Sequence, residues 1–177
     1  SDWVKIAQTN VTSATSAVDF VHGTGGVVID STYRIFKIFG SWCPATNGEE
    51  IRIRVANAGT FRTSNYLAEA HRSYYTGGTS RGSGDTFLLK QIGGGQGTTA
   101  QRSNFEATFF NMADAGQNTT AFWNWAQIDG SGDNETQVNQ GTGGGVYRTE
   151  EAHNGIRLYP SGGDIKKGEF TLIGIKG

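Results

Sequence analysis

The sequence predicts an all-β domain: a jelly-roll-like antiparallel sandwich of two sheets with long glycine-rich loops. Three observations point there. Apolar residues recur at every second position in one short segment after another, and no run keeps helical i, i+3, i+4, i+7 spacing over three turns. Glycine supplies 27 of the 177 residues and proline only 2, with the glycines concentrated between those segments. The 10 Phe, 6 Tyr and 4 Trp are residues that favour pleated, half-buried surfaces.

The elements follow in order. WVKIAQ (3–8) and SAVDFV (16–21) come first. YRIFKIFGSW (33–42) is apolar on both faces, with Tyr33, Ile35 and Phe39 pointing one way and Phe36, Ile38 and Trp42 the other. A loop containing Pro44 and the pair Asn47-Gly48 suits a tight hairpin, because Asn-Gly tolerates positive φ. EEIRIRVA (49–56) is amphipathic: Ile51, Ile53 and Val55 face a core, while Glu50, Arg52 and Arg54 face out. Further strands are expected at 65–75, 86–92, 103–112, 120–128, 145–149, 155–160 and 169–176. The polar, glycine-rich stretches 76–85, 93–99 and 129–145 read as the connections. No repeat period appears, which disfavours a propeller or a β-helix.

The length predicts one domain, 1–177, large enough to bury a core without disulfides. Cys43 is the one cysteine and reads as a small buried apolar group. A net charge of -1 argues against nucleic acid as the main partner. The opening SDWVKIAQ lacks a basic region followed by an apolar run, and no stretch has the ~20 apolar residues of a membrane span. A soluble protein assembled in a cytoplasm is expected.

Chemistry-bearing patterns are sparse. DGSGDNE (129–135) starts like a calcium loop, but Asn134 and Gln140 stand where that pattern needs Gly and Glu, so a solvated turn is expected. GGGQG (93–97) lacks the Lys-Ser/Thr and the helix of a phosphate loop. His22, His71 and His153 are not spaced as a metal site, and Glu150 and His153 share no face outside a helix. No nucleophile elbow or triad segment appears. The expectation is no enzyme, no metal and no cofactor. FWNW (122–125) is the most informative stretch. Alternation puts Trp123 and Trp125 on one face and Phe122 and Asn124 on the other. The indoles could be packed core, an interface anchor or a sugar platform, with Phe122 and Tyr74 completing a candidate interface or glycan surface.

The segments KIAQTNVTSATSAVDF (5–20), STYRIFKIFGSWCPATNGEEIRIRV (31–55) and NGIRLYPSGGDIKKGEFTLIGIK (154–176) resemble the small β-sandwich virion structural proteins of tailed bacteriophages. The shared features are a Thr/Ser/Ala linker before a V-D-F strand, an alternating IRIRV strand and a closing G-x-F-x-L-x-G-I strand. Ile173 stands where that pattern has an aromatic residue. The resemblance implies a virion component, first a capsid decoration protein on the outer shell. The alternative is a carbohydrate- or receptor-binding module of a tail fibre or tail tip. Its implied partners are other phage capsid or tail proteins, further copies of itself and, in the alternative, a host surface glycan. Strands 33–42, 103–112, 120–128 and 169–176 carry large apolar groups on both faces. A sandwich buries only the inner face of each sheet, so the outer groups need cover, which a homotrimer would supply.

Overall fold

A computed structural model describes residues 2–46, 48–74, 77–84, 88–93, 103–129 and 137–177. These form two antiparallel sheets, and among the described residues no helix occurs. The larger sheet has eight strands: β1 (Trp3–Val11), β13 (Ile165–Ile175), β3 (Ile35–Pro44), β9 (Ser103–Phe110), β10 (Thr120–Asp129), β11 (Gln137–Tyr147), β6 (Tyr66–Ser73) and β7 (Thr79–Gly84), in that spatial order. The smaller sheet runs β2 (Val18–Val21), β12 (Gly155–Pro160), β4 (Glu50–Asn57), β5 (Thr60–Phe61), with β8 (Leu88–Gly93) also paired to β4. The chain passes repeatedly between the sheets, from β1 to β2 to β3 to β4, and again from β11 to β12 to β13. This is the two-sheet sandwich the periodicity predicts.

Parity decides what each strand buries. From the small sheet Ile51, Ile53, Val55, Ile156, Leu158, Val18 and Phe20 point inward. From the large sheet Phe36, Ile38, Trp42, Phe170 and Leu172 meet them, as expected for strands 33–42 and 169–176. Cys43 is fully buried and unbridged. The tight hairpin expected at Asn47-Gly48 does not form: β3 and β4 belong to different sheets, so this loop is a crossover between them, with Gly48 at φ +80°, and Asn47 lies outside the described residues.

The inner face of the large sheet is assembled from cross-strand rows in which large residues are interspersed with small ones. One row reads Phe170, Gly40, Phe105, Trp125, Gly141 along β13, β3, β9, β10 and β11. The next reads Leu172, Ile38, Ala107, Trp123, Gly143, Ala70. A Cβ added at Gly40 would run into the Phe105 ring, one at Gly141 into the Trp125 indole, and one at Gly143 into the Trp123 indole. Each glycine is therefore the seat of the aromatic ring on the next strand.

That arrangement corrects two expectations. Residues 137–144 belong to strand β11, although the composition of 129–145 reads as loop; the missing side chains are replaced by the indoles of β10. Likewise β7 lies within 76–85, held by its register against β6. The calcium-like segment 129–135, apart from its first residue, and the glycine run 93–97, apart from Gly93, lie outside the described residues. Among the described residues no helix is long and apolar enough to cross a membrane.

Candidate functional site

Trp123 and Trp125 are 1% and 4% exposed. Of their three open readings the structure selects the packed core, so neither is an interface anchor or a sugar platform. The register that buries them turns Phe122 out, at 61% exposure. Tyr74 is half-buried, its ring 5.5 Å from the Arg72 guanidinium; Arg72 also stacks on Trp125 at 4.9 Å and donates from Nη2 to Gln127 at 3.2 Å.

Phe122 stands on the outer face of the large sheet, where two adjoining hollows lie over β10, β11, β6 and β7. One, of about 280 Å³, is lined by His71, Ser73, Asn124, Gln140 and Thr142 above the backbone of Gly141. The other, of about 450 Å³, is lined by Glu69, His71, Arg81, Thr142 and Gly144. They share His71 and Thr142. Register explains the convergence: Asn124, Thr142, His71 and Arg81 occupy one row across four strands, and Phe122, Gly144 and Glu69 occupy the next. Gly144 opens the floor, and the Phe122 ring lies against it, 3.4 Å from where a Cβ would stand. Phe110 braces Phe122 edge-on, ring centroids 6.1 Å apart. Asn124 donates to Glu106 at 3.4 Å, and Glu106 accepts from Lys37 at 3.0 Å. The Lys37 hydrogen bond holds the Glu106 carboxyl below its ordinary range. The two hollows form a groove of amide, hydroxyl, imidazole and charged groups, and the exposed Phe122 ring stands at its edge, against Gly144. Together they can accept a polar, ring-shaped ligand by stacking and hydrogen bonding.

A second constellation has the connectivity of a catalytic relay. Thr119 Oγ1 lies 2.7 Å from His153 Nδ1, and His153 Nε2 lies 3.2 Å from Glu151 Oε1. Glu151 accepts a two-pronged pair from Arg62 at 2.6 and 2.7 Å. Burial holds the His153 imidazole below its usual range, opposed by Glu151, and the Arg62 hydrogen bond lowers the Glu151 carboxyl. Thr119 and His153 are 0% and 1% exposed, and the Tyr147 ring packs edge-on against the imidazole at 4.9 Å. A nucleophile needs access to its substrate, so this network acts as a buried clasp. Glu151, two residues from His153, is the carboxylate that meets the imidazole; Glu150, three residues away, is the one whose spacing gives no shared face outside a helix.

The outer face of the small sheet is basic. Arg157 pairs with Asp19 in fork geometry at 2.6 and 2.7 Å and stacks on Phe61 at 4.2 Å, and Arg54 lies 4.8 Å from the Tyr159 ring centroid. Among the described residues no group of three or more His, Cys, Asp or Glu is gathered for a metal.

No family model matches this chain. No curated protein matches it either. Among solved structures, the chain is similar to the CBM2 module of the Lactobacillus casei BL23 phage J-1 evolved Dit. The identity is 10% and the TM-score 0.23, over 91% of this chain and 70% of that one.

Proposed function

We propose that this domain is a binding module of a phage virion that holds a carbohydrate on the outer face of its eight-stranded sheet. The observation that carries the reading is Phe122. A ring 61% exposed lies over a glycine floor, one row along the sheet from the amide, hydroxyl and imidazole groups of Asn124, Thr142 and His71. Sugars present an apolar C–H face and a polar rim, and such a site meets both at once. The virion assignment rests on the resemblance of 5–20, 31–55 and 154–176 to phage structural proteins. The test is calorimetric titration of the full chain with a panel of neutral and acidic oligosaccharides. Binding that weakens at least about tenfold in Phe122→Ala and Asn124→Ala supports the reading. No binding across the panel, or binding indifferent to both changes, overturns it.

A capsid-decoration oligomer, most simply a trimer, is the second reading, and one observation favours it. The large apolar side chains exposed among the described residues are Trp3, Phe39, Leu67, Phe122 and Val138. By register all five lie on this same outer face. The two readings compete for one surface, because a subunit contact over Phe122 would close the groove. Light scattering separates them: a monomer mass at micromolar concentration supports the groove. A trimer that dissociates in Leu67→Ser/Phe122→Ser with its β-structure retained supports assembly.

A further inference from the structure

The groove also carries a charge pattern that a neutral sugar does not use. Arg81 lines the larger hollow, is exposed, and sits opposite His71 across the β6–β7 pair. Among the described residues it makes no ion pair. Lys37, Arg62 and Arg157, by contrast, have carboxylate partners in place in Glu106, Glu151 and Asp19. A guanidinium donates only, and its planar fork matches a carboxylate in two parallel hydrogen bonds. One row away Glu69 lines the same hollow and can accept only, which suits the hydroxyl donors of a sugar and excludes a second anionic group at that place. Asn124, Thr142 and His71 extend the polar lining into the smaller hollow. Each hollow is near the lower end of small-ligand pockets, which run roughly 300–1,000 Å³. Because the two share a wall at His71 and Thr142, a ligand filling both is chain-like and runs diagonally over β11 and β6.

Resting on the carbohydrate reading above, we infer that the ligand is an acidic oligosaccharide of two or more units, its carboxylate held by Arg81 beside His71 and its hydroxyls by Glu69, Asn124 and Thr142. A panel of uronic-acid oligomers, each compared with its methyl ester, tests this, because esterification removes the charge and keeps the sugar backbone. Titration of the full chain is expected to show the free acids binding at least about tenfold more tightly than their esters, with the difference shrinking as salt rises. Arg81→Ala is expected to abolish that difference by weakening the free acids more than the esters. Arg81→Lys, which keeps the charge and loses the fork, is expected to fall between. Trimers are expected to bind more tightly than single uronic acids. Equal binding of acid and ester, or a preference that survives Arg81→Ala, overturns the inference while leaving the carbohydrate reading in place. Absence of binding by acids, esters and neutral oligosaccharides alike overturns both. Arg81 is exposed, so a native circular dichroism spectrum of the variant is expected.

Discussion

Phe122 and Trp123 are consecutive on β10, yet one is 61% exposed and the other 1%. The inner face of the β10–β11 ribbon is dry and interlocked, each indole seated on a glycine of the next strand. The outer face of the same two strands is open, and there the Phe122 ring lies over Gly144 only at ordinary contact distance, beside a hollow. The difference teaches that a glycine in a strand has no meaning of its own. Its role depends on how closely the ring across the ladder sits on it: the Trp123 indole leaves no room for a Cβ at Gly143, whereas the Phe122 ring leaves room for one at Gly144.

The largest expected effect comes from attacking the inner face. Trp123→Ala empties a buried row, and unfolding in urea is expected to show a loss of about 3–5 kcal/mol. Gly143→Val and Gly40→Ala attack the same rows from the other side, by overfilling, and about 1–3 kcal/mol each is expected. If Gly143→Val proves neutral, the seat on which the comparison rests does not exist.

The clasp gives the next effect. His153→Ala removes the buried partner of Thr119 and one of the partners of Glu151, which keeps Arg62, at an expected cost of about 1–3 kcal/mol. It also carries a pH signature. Folding depresses both the His153 and the Glu151 pKa, so the unfolded chain binds more protons as the medium turns acid. The stability they contribute is complete above the ordinary imidazole range, near pH 6.5, and is lost as pH falls from there through the depressed values. Urea midpoints measured from pH 8 to pH 4 are expected to fall, and less steeply in His153→Ala.

The smallest stability effect belongs to the outer face. Phe122→Ala and Gly144→Val are expected to change stability by no more than about 0.5 kcal/mol. Both are nevertheless expected to reduce ligand binding, the first by removing the ring and the second by filling the hollow. A large loss of stability in Phe122→Ala would show that the ring is a structural support rather than part of a binding surface.

Strand parity was legible wherever a segment carried its own contrast. In IRIRV the alternation alone assigns Ile51, Ile53 and Val55 to the core and Arg52 and Arg54 to the surface. In the closing segment alternation groups Phe170 with Leu172 and sets Ile173 and Ile175 on the other face, and the structure buries the first pair. Parity also paired Trp123 with Trp125 and set Phe122 apart, but it could not say which set faced the core, since both are large and apolar. Strand β11 was illegible because what it packs is supplied by β10; a run of glycines carries no hydrophobic signal for alternation to detect. The groove was hidden for the same reason. Glu69, His71, Arg81, Asn124 and Thr142 come from four strands and meet only through register. The signal nearest to it was the isolated Phe122-x-Asn124 alternation.

The seating of rings on glycines has a consequence for how this domain can change over time. Space in the large sheet is shared along a row that crosses strands far apart in the chain: Gly40, Phe105, Trp125 and Gly141 draw on one allotment of volume. A position can therefore move from large to small when a partner dozens of residues away moves from small to large. The row keeps its sum while no single site keeps its residue. Related chains can thus preserve this interior while trading aromatic and glycine positions between strands, so that kinship is recorded in paired exchanges across the ladder and not in identity at any one position.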